Sequence, residues 1–371
     1  MTAARATSYQ PPDPAQAEVR AMPVAGEPLA ACPVTFSAFS VCDHHPALAR
    51  TLDQFYRELL GHAVLAEELG YDAYWVAEHH FHEYGVVPNP APFLAAIAQA
   101  TRRIRIGPAV SVLPFHDPVQ VAEDYAVVDQ LSGGRLNMGV GSGYLPHEFA
   151  GFGVGGDTKR ARFDEALVLI RRLWAGETVT FEGAFHRVHG VALNVLPVQR
   201  PAPPLLVAAL RPEACYHIGR HGLNMMTIPY AAVDRMDGIG DMVADFRRGW
   251  QETQGTPPPV PLCALHAHVA ASDEAARANA EAAFNQYTRT RLYAKSKKDY
   301  DDILAAELGL FGSVETVVGQ LRRLHAMGAR QVMLLQDFGA LAAGKVRESM
   351  RRFATEVAPR LAERVRADAA A

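Results

Sequence analysis

Short apolar runs alternate with amphipathic stretches along most of the chain, the pattern expected when buried parallel strands are joined by covering helices. The first run, 34–39 (VTFSAF), predicts a strand. Leu52, Phe55, Tyr56, Leu59, Ala63 and Ala66 then keep helical spacing up to Gly70, a C-terminal stop. Residues 73–77 predict the second strand and 104–113 the third, with a helix over 90–100 between them. Asp117 ahead of Pro118 reads as a helix start, because a side-chain oxygen caps free N–H groups where proline needs no donor. That helix turns Val121, Tyr125 and Val128 inward, Ser132-Gly133-Gly134 ends it, and 136–140 predict the fourth strand.

In the second half a helix ends near Trp174, and TVTFEGAFHRV reads as an exposed hairpin turning at Glu182-Gly183. Residues 205–209, 224–228, 262–271 and 331–335 supply strands five to eight, and the last helix carries Val346, Met350, Phe353 and Val357 on one stripe. Eight strand positions separated by helices predict an α/β chain folded as a (β/α)8 TIM barrel with insertions. The charged stretch KSKKDYDDI, after strand seven, is too polar for a core and is expected to be a mobile cover over the site.

Composition sharpens this picture. The 371 residues, 49% hydrophobic and 20% charged, suit one barrel-sized core over 34–371. Residues 1–33, with five prolines before residue 30, read as a loose N-terminal extension. A net charge of −4 with both signs interspersed offers no basic face for nucleic acid and no polybasic membrane anchor. Cys32, Cys42, Cys215 and Cys263 form no CxxC pair, so the chain fits a reducing cytoplasm.

The chemistry-bearing residues cluster at strand ends. Glu78, His79 and His80 follow strand two, so they project from the C-terminal rim where barrel enzymes assemble their sites. Gly139-Val140-Gly141-Ser142-Gly143-Tyr144 follows strand four; its spacing, GxGxG, is not the dinucleotide fingerprint GxGxxG. Ala209-Leu210-Arg211-Pro212-Glu213 opens a helix whose free N–H groups make a natural anion seat. His82 reads as pocket-lining or structural, Asp117 as a cap, and Asp129 and Arg135 as a structural pair around their turn. His266 and His268 alternate on strand seven and face one side, as a metal pair or, more simply, polar barrel lining.

Residues 74–153, from YWVAEHHFHEYG through PFHDPVQVAEDYAVVDQLSGGRLNMGVGSGY to EFAGFG, resemble the bacterial luciferase-like flavin-dependent monooxygenases. RFDEALVLIRRLW, the hairpin, and FGSVETVVGQLRRLHAMGARQV through SMRRFATEVAPRL follow in the family's order. The resemblance implies reduced FMN bound at the C-terminal face, a flavin 4a-hydroperoxide as oxidant, a separate NAD(P)H-dependent flavin reductase, and a homodimer. It makes His79 a catalytic acid or base, with Glu78 either beside the flavin or in an ion pair. It places a non-proline cis peptide at Ala109 and Val110, beneath the flavin ring. It puts Gly141, Ser142 and Tyr144 against the cofactor, although luciferase has a cysteine and a phosphate-binding arginine where this chain has Gly141 and Ser142. Arg160 or Arg162 is then the nearest substitute for that arginine, with Ala209, Leu210 and Arg211 at the phosphate turn.

The expected activity is therefore oxygenation of a small organic substrate, possible classes beginning with aldehydes and other carbonyl compounds, and no metal. Three alternatives stay open: a metal-dependent barrel hydrolase built on His79, His80, His266 and His268; a flavin-binding relative that does not catalyse; and a deazaflavin in place of FMN.

Overall fold

The computed structural model describes residues 29, 32–46, 49–290 and 298–370. Strands β1 (Thr35–Ser40), β2 (Ala73–Val76), β3 (Arg105–Pro108), β4 (Ser111–Val112) and β5 (Met138–Gly141) form the first half of the barrel. β6 (Val179–Glu182) and β7 (Arg187–Val191) are an antiparallel hairpin, and β8 (Leu205–Ala209), β9 (Asn224–Thr227), β10 (Leu262–Val269), β11 (Gly309–Gly312) and β12 (Gln331–Asp337) complete the set. The main sheet is parallel throughout, in the order β3-β2-β1-β12-β10-β9-β8-β5-β4. β3 and β4 are one barrel strand interrupted at Ala109–Val110, whose peptide is cis. A parallel bridge between Ile106 and Leu136 closes the ring. Each of the eight expected strands is present, within a few residues at each end.

The helical layer comprises α1 (Leu52–Glu68), α2 (Pro90–Ala100), α3 (Pro118–Ser132), α4 (Pro146–Phe152), α5 (Lys159–Trp174), α6 (Pro212–Arg220) and α7 (Pro229–Ala232). It continues through α8 (Asp237–Thr253), α9 (Asp273–Arg289), α10 (Tyr300–Ala305), α11 (Val314–Ala326), α12 (Ala343–Arg352) and α13 (Ala358–Ala370). Thr51 and Gln54 form a reciprocal capping box at α1, Asn89 precedes Pro90 at α2, and Asp117 Oδ1 accepts from Val119 N and Gln120 N at α3. Each such cap contributes about 1 kcal/mol and fixes where its helix begins. Gly133, at φ 67°, ends α3 in the left-handed conformation that a side chain would disfavour.

Alternation along β1 divides its side chains between two surroundings. Phe36 meets Phe353 of the C-terminal helical layer edge-on at 4.8 Å, whereas Phe39 lines a cavity at the strand ends. The expected stripe Val346, Met350, Phe353 and Val357 is buried throughout, carried across a π-helical turn at Phe353–Val357 that joins α12 to α13. β3 and β5 approach closely at Gly107 and Gly139, where a Cβ would run into Asn137 O and Pro108 O respectively.

One strand was not foreseen, the hairpin is present as expected, and two expected segments fall partly outside the described residues. β11, a short run with two glycines, pairs in parallel with β10 from His266 to Val269 and was not foreseen. The hairpin turn is held by Glu165, whose carboxylate accepts from Ala184 N, Phe185 N and His186 N at 2.8–3.1 Å. The expected cover over 295–303 falls partly outside the described residues. In its described part Asp299 and Asp302 form a capping box that starts α10, and Tyr300 and Ile303 are buried, so that part is packed helix. The extension over 1–33 lies outside the described residues except Leu29, Cys32 and Pro33, and Leu29 joins the same core cluster that reaches Leu361. Among the described residues no helix is long and apolar enough to cross a membrane.

Candidate functional site

A cavity of 440 Å³ opens at the C-terminal ends of β1, β2, β4, β5, β8 and β9. Parallel barrel strands all deliver their following loops to this rim, so residues remote in sequence converge there. Its walls are of three kinds: apolar, titratable and cationic.

The apolar wall includes Phe39, Val41, Met226, Ile228 and Met333. Ala109 and Val110, joined by the cis peptide, lie beside the glycine loop; a Cβ on Gly141 would come within 2.6 Å of Val110 Cγ2. Glycine is thus what lets β5 pack against the Ala109–Val110 segment while the loop 141–144 faces the open space.

The titratable wall holds Glu78, His79 and Glu148. Glu78 Oε1 accepts from His116 Nε2 at 2.7 Å and lies 3.0 Å from His80 Nε2, and its Oε2 accepts from Val112 N at 3.2 Å. Burial pushes this carboxyl up, but the bonds from His116 and His80 outweigh it and hold Glu78 below its ordinary value. Of the two places expected for Glu78, beside the flavin with His79 or in an ion pair, its bonds match the second: both oxygens are engaged in fixing β4 and the α3 entry. His79 is placed differently. Its Nδ1 lies 3.1 Å from Glu148 Oε1, its ring packs against Tyr84 at 4.6 Å, and the ring borders the cavity.

The cationic end is formed by Lys159, Arg160 and Arg211. Lys159 Nζ donates to Gly143 O at 3.0 Å. Burial, then the repulsion of Arg211, hold its ammonium below the ordinary lysine value. Two like charges kept together beside a cavity favour an anion there. Arg160 sits at the rim, 60% exposed and paired with Asp164 at 3.0 Å. This arrangement can hold an extended ligand with an anionic end and a planar apolar body.

Of the residues anticipated from sequence, Glu78, His79, Ala109, Val110, Gly141, Ser142, Tyr144, Arg160, Leu210 and Arg211 all border the cavity. Arg162 and Ala209 do not. The Arg162 guanidinium stacks over Phe185 of the hairpin at 4.5 Å, and its Nε donates to Thr158 Oγ1. Ala209 is fully buried in β8, its carbonyl accepting from Thr227 Oγ1 at 2.7 Å. Lys159 and Glu148 were missed: Lys159 precedes the arginines that drew attention, and Glu148 lies within the EFAGFG end of the resembling segment.

The other titratable residues singled out from the sequence do not border the cavity. His80 is bonded to Glu78, and His82 Nδ1 accepts from Tyr84 N. Asp129 and Arg135 are both structural but do not pair: Asp129 accepts from Gln199 and Leu136 N, while Arg135 donates to carbonyls of Ala98, Ile104 and Ser132. His266 is boxed by Tyr230, Phe284, Tyr287 and Phe338, with ring centroids 4.8–5.6 Å away. Burial pushes it down to about 3; His268, by burial and then Lys345, goes down to about 4. The histidines required by the hydrolase alternative are not brought together. The group with metal-ligand spacing among the described residues is Glu78, His80 and His116, whose atoms lie within 4.8 Å of one another. There the two imidazoles already bond one carboxylate oxygen.

The fold and this rim cavity define an enzyme of the TIM-barrel class. More specifically, the chain belongs to the luciferase-like monooxygenase family, whose model matches residues 34–331. It is 31% identical to a monooxygenase, RslO1, of Streptomyces bottropensis, covering 88% of this chain and 99% of that one with a TM-score of 0.82. It is 26% identical over 335 residues to the oxygenase component of a flavin-dependent trigonelline monooxygenase from Acinetobacter baylyi, 85% of this chain and 92% of that protein. The fold is shared with a type II Baeyer–Villiger monooxygenase of Pseudomonas putida solved with FMN, at 18% identity and TM-score 0.76, covering 88% and 98%. F420-dependent glucose-6-phosphate dehydrogenases also match, over 45% of this chain. The match spans 58% and 52% of the first two curated relatives, both from Sinorhizobium fredii.

Proposed function

We propose that this protein is the oxygenase of a two-component flavin-dependent monooxygenase, using reduced FMN and O2 to place one oxygen atom in a small organic substrate. Aldehydes and other carbonyl compounds are the first substrates to try. The observation that carries this reading is the cavity's polarity, with Lys159 and Arg211 at one end and His79 on the wall beside the Ala109–Val110 floor. Reduced FMN, when bound, supplies the electrons that activate O2 for transfer to the substrate.

The chain supplies binding, orientation and proton handling. Lys159 and Arg211 would hold the cofactor's phosphate, helped by the N-terminal amides of α6, with Arg160 at the rim. These replace the arginine that the resemblance leads one to expect at Ser142. Ala109, Val110, Gly141, Ser142, Tyr144 and Leu210 would seat the body of the cofactor. Phe39, Val41, Met226 and Met333 exclude water, which strengthens every charge interaction inside. His79 would hold or move a proton at Nε2, a contribution of about 10²–10⁴ in rate. Glu78 would act indirectly, by holding Val112 and hence the floor. The chain carries no dinucleotide fingerprint, so a separate NAD(P)H-dependent reductase would supply reduced flavin. We further propose a single catalytic unit over 34–371, a homodimer, and residence in the cytoplasm.

The F420-dependent relatives favour one second reading, a deazaflavin in this cavity. Anaerobic titration with reduced FMN and reduced F420 decides between them, and 18O2 incorporation with a panel of aldehydes and ketones tests the activity. Tight FMN binding with labelled product supports the proposal. F420 preference would move the protein to the deazaflavin class, and flavin binding with no label in any product would make it a non-catalytic relative.

A further inference from the structure

Glu148 is 1% exposed and belongs to α4, which the glycine loop delivers to the cavity wall. Its Oε1 lies 2.9 Å from His80 N and 3.1 Å from His79 Nδ1. A backbone N–H only donates, so Oε1 is an acceptor in the first bond. As a carboxylate Glu148 can only accept, so the second bond is then satisfied when His79 Nδ1 carries the hydrogen. We propose that Glu148 is a positioning residue that fixes His79 as the Nδ1–H tautomer and leaves the Nε2 lone pair for the occupant of the cavity.

Two neighbours keep the ring in that pose. Tyr84 packs on one side at 4.6 Å, and Gly85 sits so close that a Cβ there would stand 2.7 Å from His79 Cβ and 2.9 Å from Cδ2. Among the described residues no partner for Nε2 is present. The neutral ring therefore accepts a hydrogen bond or a proton from the cavity, and donates only after it has been protonated. Because the carboxylate is tied to the backbone of His80, the aim of Nε2 does not depend on a mobile side chain. The role assigned to this carboxylate is exerted through His79, whose tautomer and aim it sets.

This inference rests on the reading that the cavity is the reaction chamber, but its first test does not. Cofactor-free protein labelled with 15N-histidine is studied by long-range 1H–15N correlation at alkaline pH, with His79→Gln assigning the signal. A pyridine-like Nε2 and a pyrrole-like Nδ1 are expected, and the reverse pattern in the unsubstituted protein overturns the proposal. Glu148→Gln offers an amide that both donates and accepts, so the signals should become a tautomer mixture, with kcat down by up to about 100-fold and reduced-flavin affinity within about twofold. Glu148→Asp should restore the tautomer and part of kcat. An unchanged tautomer in Glu148→Gln also overturns the proposal. The tautomer as stated in a protein that transfers no oxygen would instead remove the proposed function and leave this inference standing.

Discussion

Glu78 and His116 are joined by a 2.7 Å hydrogen bond that brings the end of β2 to the entry of α3. Burial opposes charge on both, yet each is shifted toward its charged form: the carboxyl below 4.5 and, chiefly through its bond to Glu78, the imidazole above 6.5. The depressed carboxyl contributes stability above its unfolded value, lost as pH falls through the folded one. The raised imidazole contributes stability below 6.5, lost as pH rises through its folded value. Thermal unfolding followed by circular dichroism should show an alkaline loss of stability above 6.5 that is absent in His116→Gln. Glu78→Gln should cost about 3 kcal/mol, because the partner charge is left without its counterion. An alkaline limb unchanged by His116→Gln would dissolve the pair.

Lys159 and Arg211 are assigned to the anionic end of the cofactor, which gives a contrast between two flavins. Lys159→Met should weaken reduced FMN by roughly 10- to 100-fold, the value of a charge-assisted hydrogen bond, and leave riboflavin, which lacks the phosphate, nearly unaffected. Arg162→Ala should change neither affinity, since that guanidinium stacks on Phe185. Equal weakening of both flavins by Lys159→Met would move the lysine's role away from phosphate.

Among the described residues His266 has no hydrogen-bond partner for either ring nitrogen, and burial pushes it down to about 3. A histidine that folding keeps neutral opposes the native state once the unfolded chain can bind its proton. Stability should therefore fall progressively from pH 6.5 toward 3, and His266→Met should flatten part of that decline. Near pH 8 the same substitution should be close to neutral or stabilising, because it removes two unsatisfied polar atoms from an aromatic box. Loss of more than about 2 kcal/mol there would mean that the imidazole has a structural partner.

Gly85 bears on His79 without being able to do chemistry. Gly85→Ala places a methyl 2.7 Å from His79 Cβ, 2.9 Å from its Cδ2 and 3.0 Å from Val41 O, so His79 must shift as a whole and its ring is carried off its bond to Glu148. Turnover should fall with little change in flavin affinity. A crystal structure of the variant showing His79 unmoved would remove this constraint.

Much of this protein is written locally. The eight barrel strands follow from buried runs of four to eight residues, and helix starts from Thr51, Asn89 and Asp117, because caps and periodicity act within a turn or two of chain. The family resemblance lies in a continuous segment and led directly to His79 and to the cis peptide at Ala109–Val110. Which side chains meet is a different matter. Glu148 stands 69 residues from His79, and nothing in the spacing between them encodes the bond that only the closed ring of strands creates. The choice of Lys159 over Arg162 is likewise geometric. Three residues along a helix shift a side chain by roughly 4.5 Å and to another part of its circumference, which carries Arg162 past the cavity to the hairpin and leaves Lys159 at Gly143. Sequence determined the elements and the rim they share, since those depend on local hydrogen bonding and burial. Tertiary structure alone decided the pairing of charges and the aim of each functional atom, since those depend on distances between strands that the linear order does not contain.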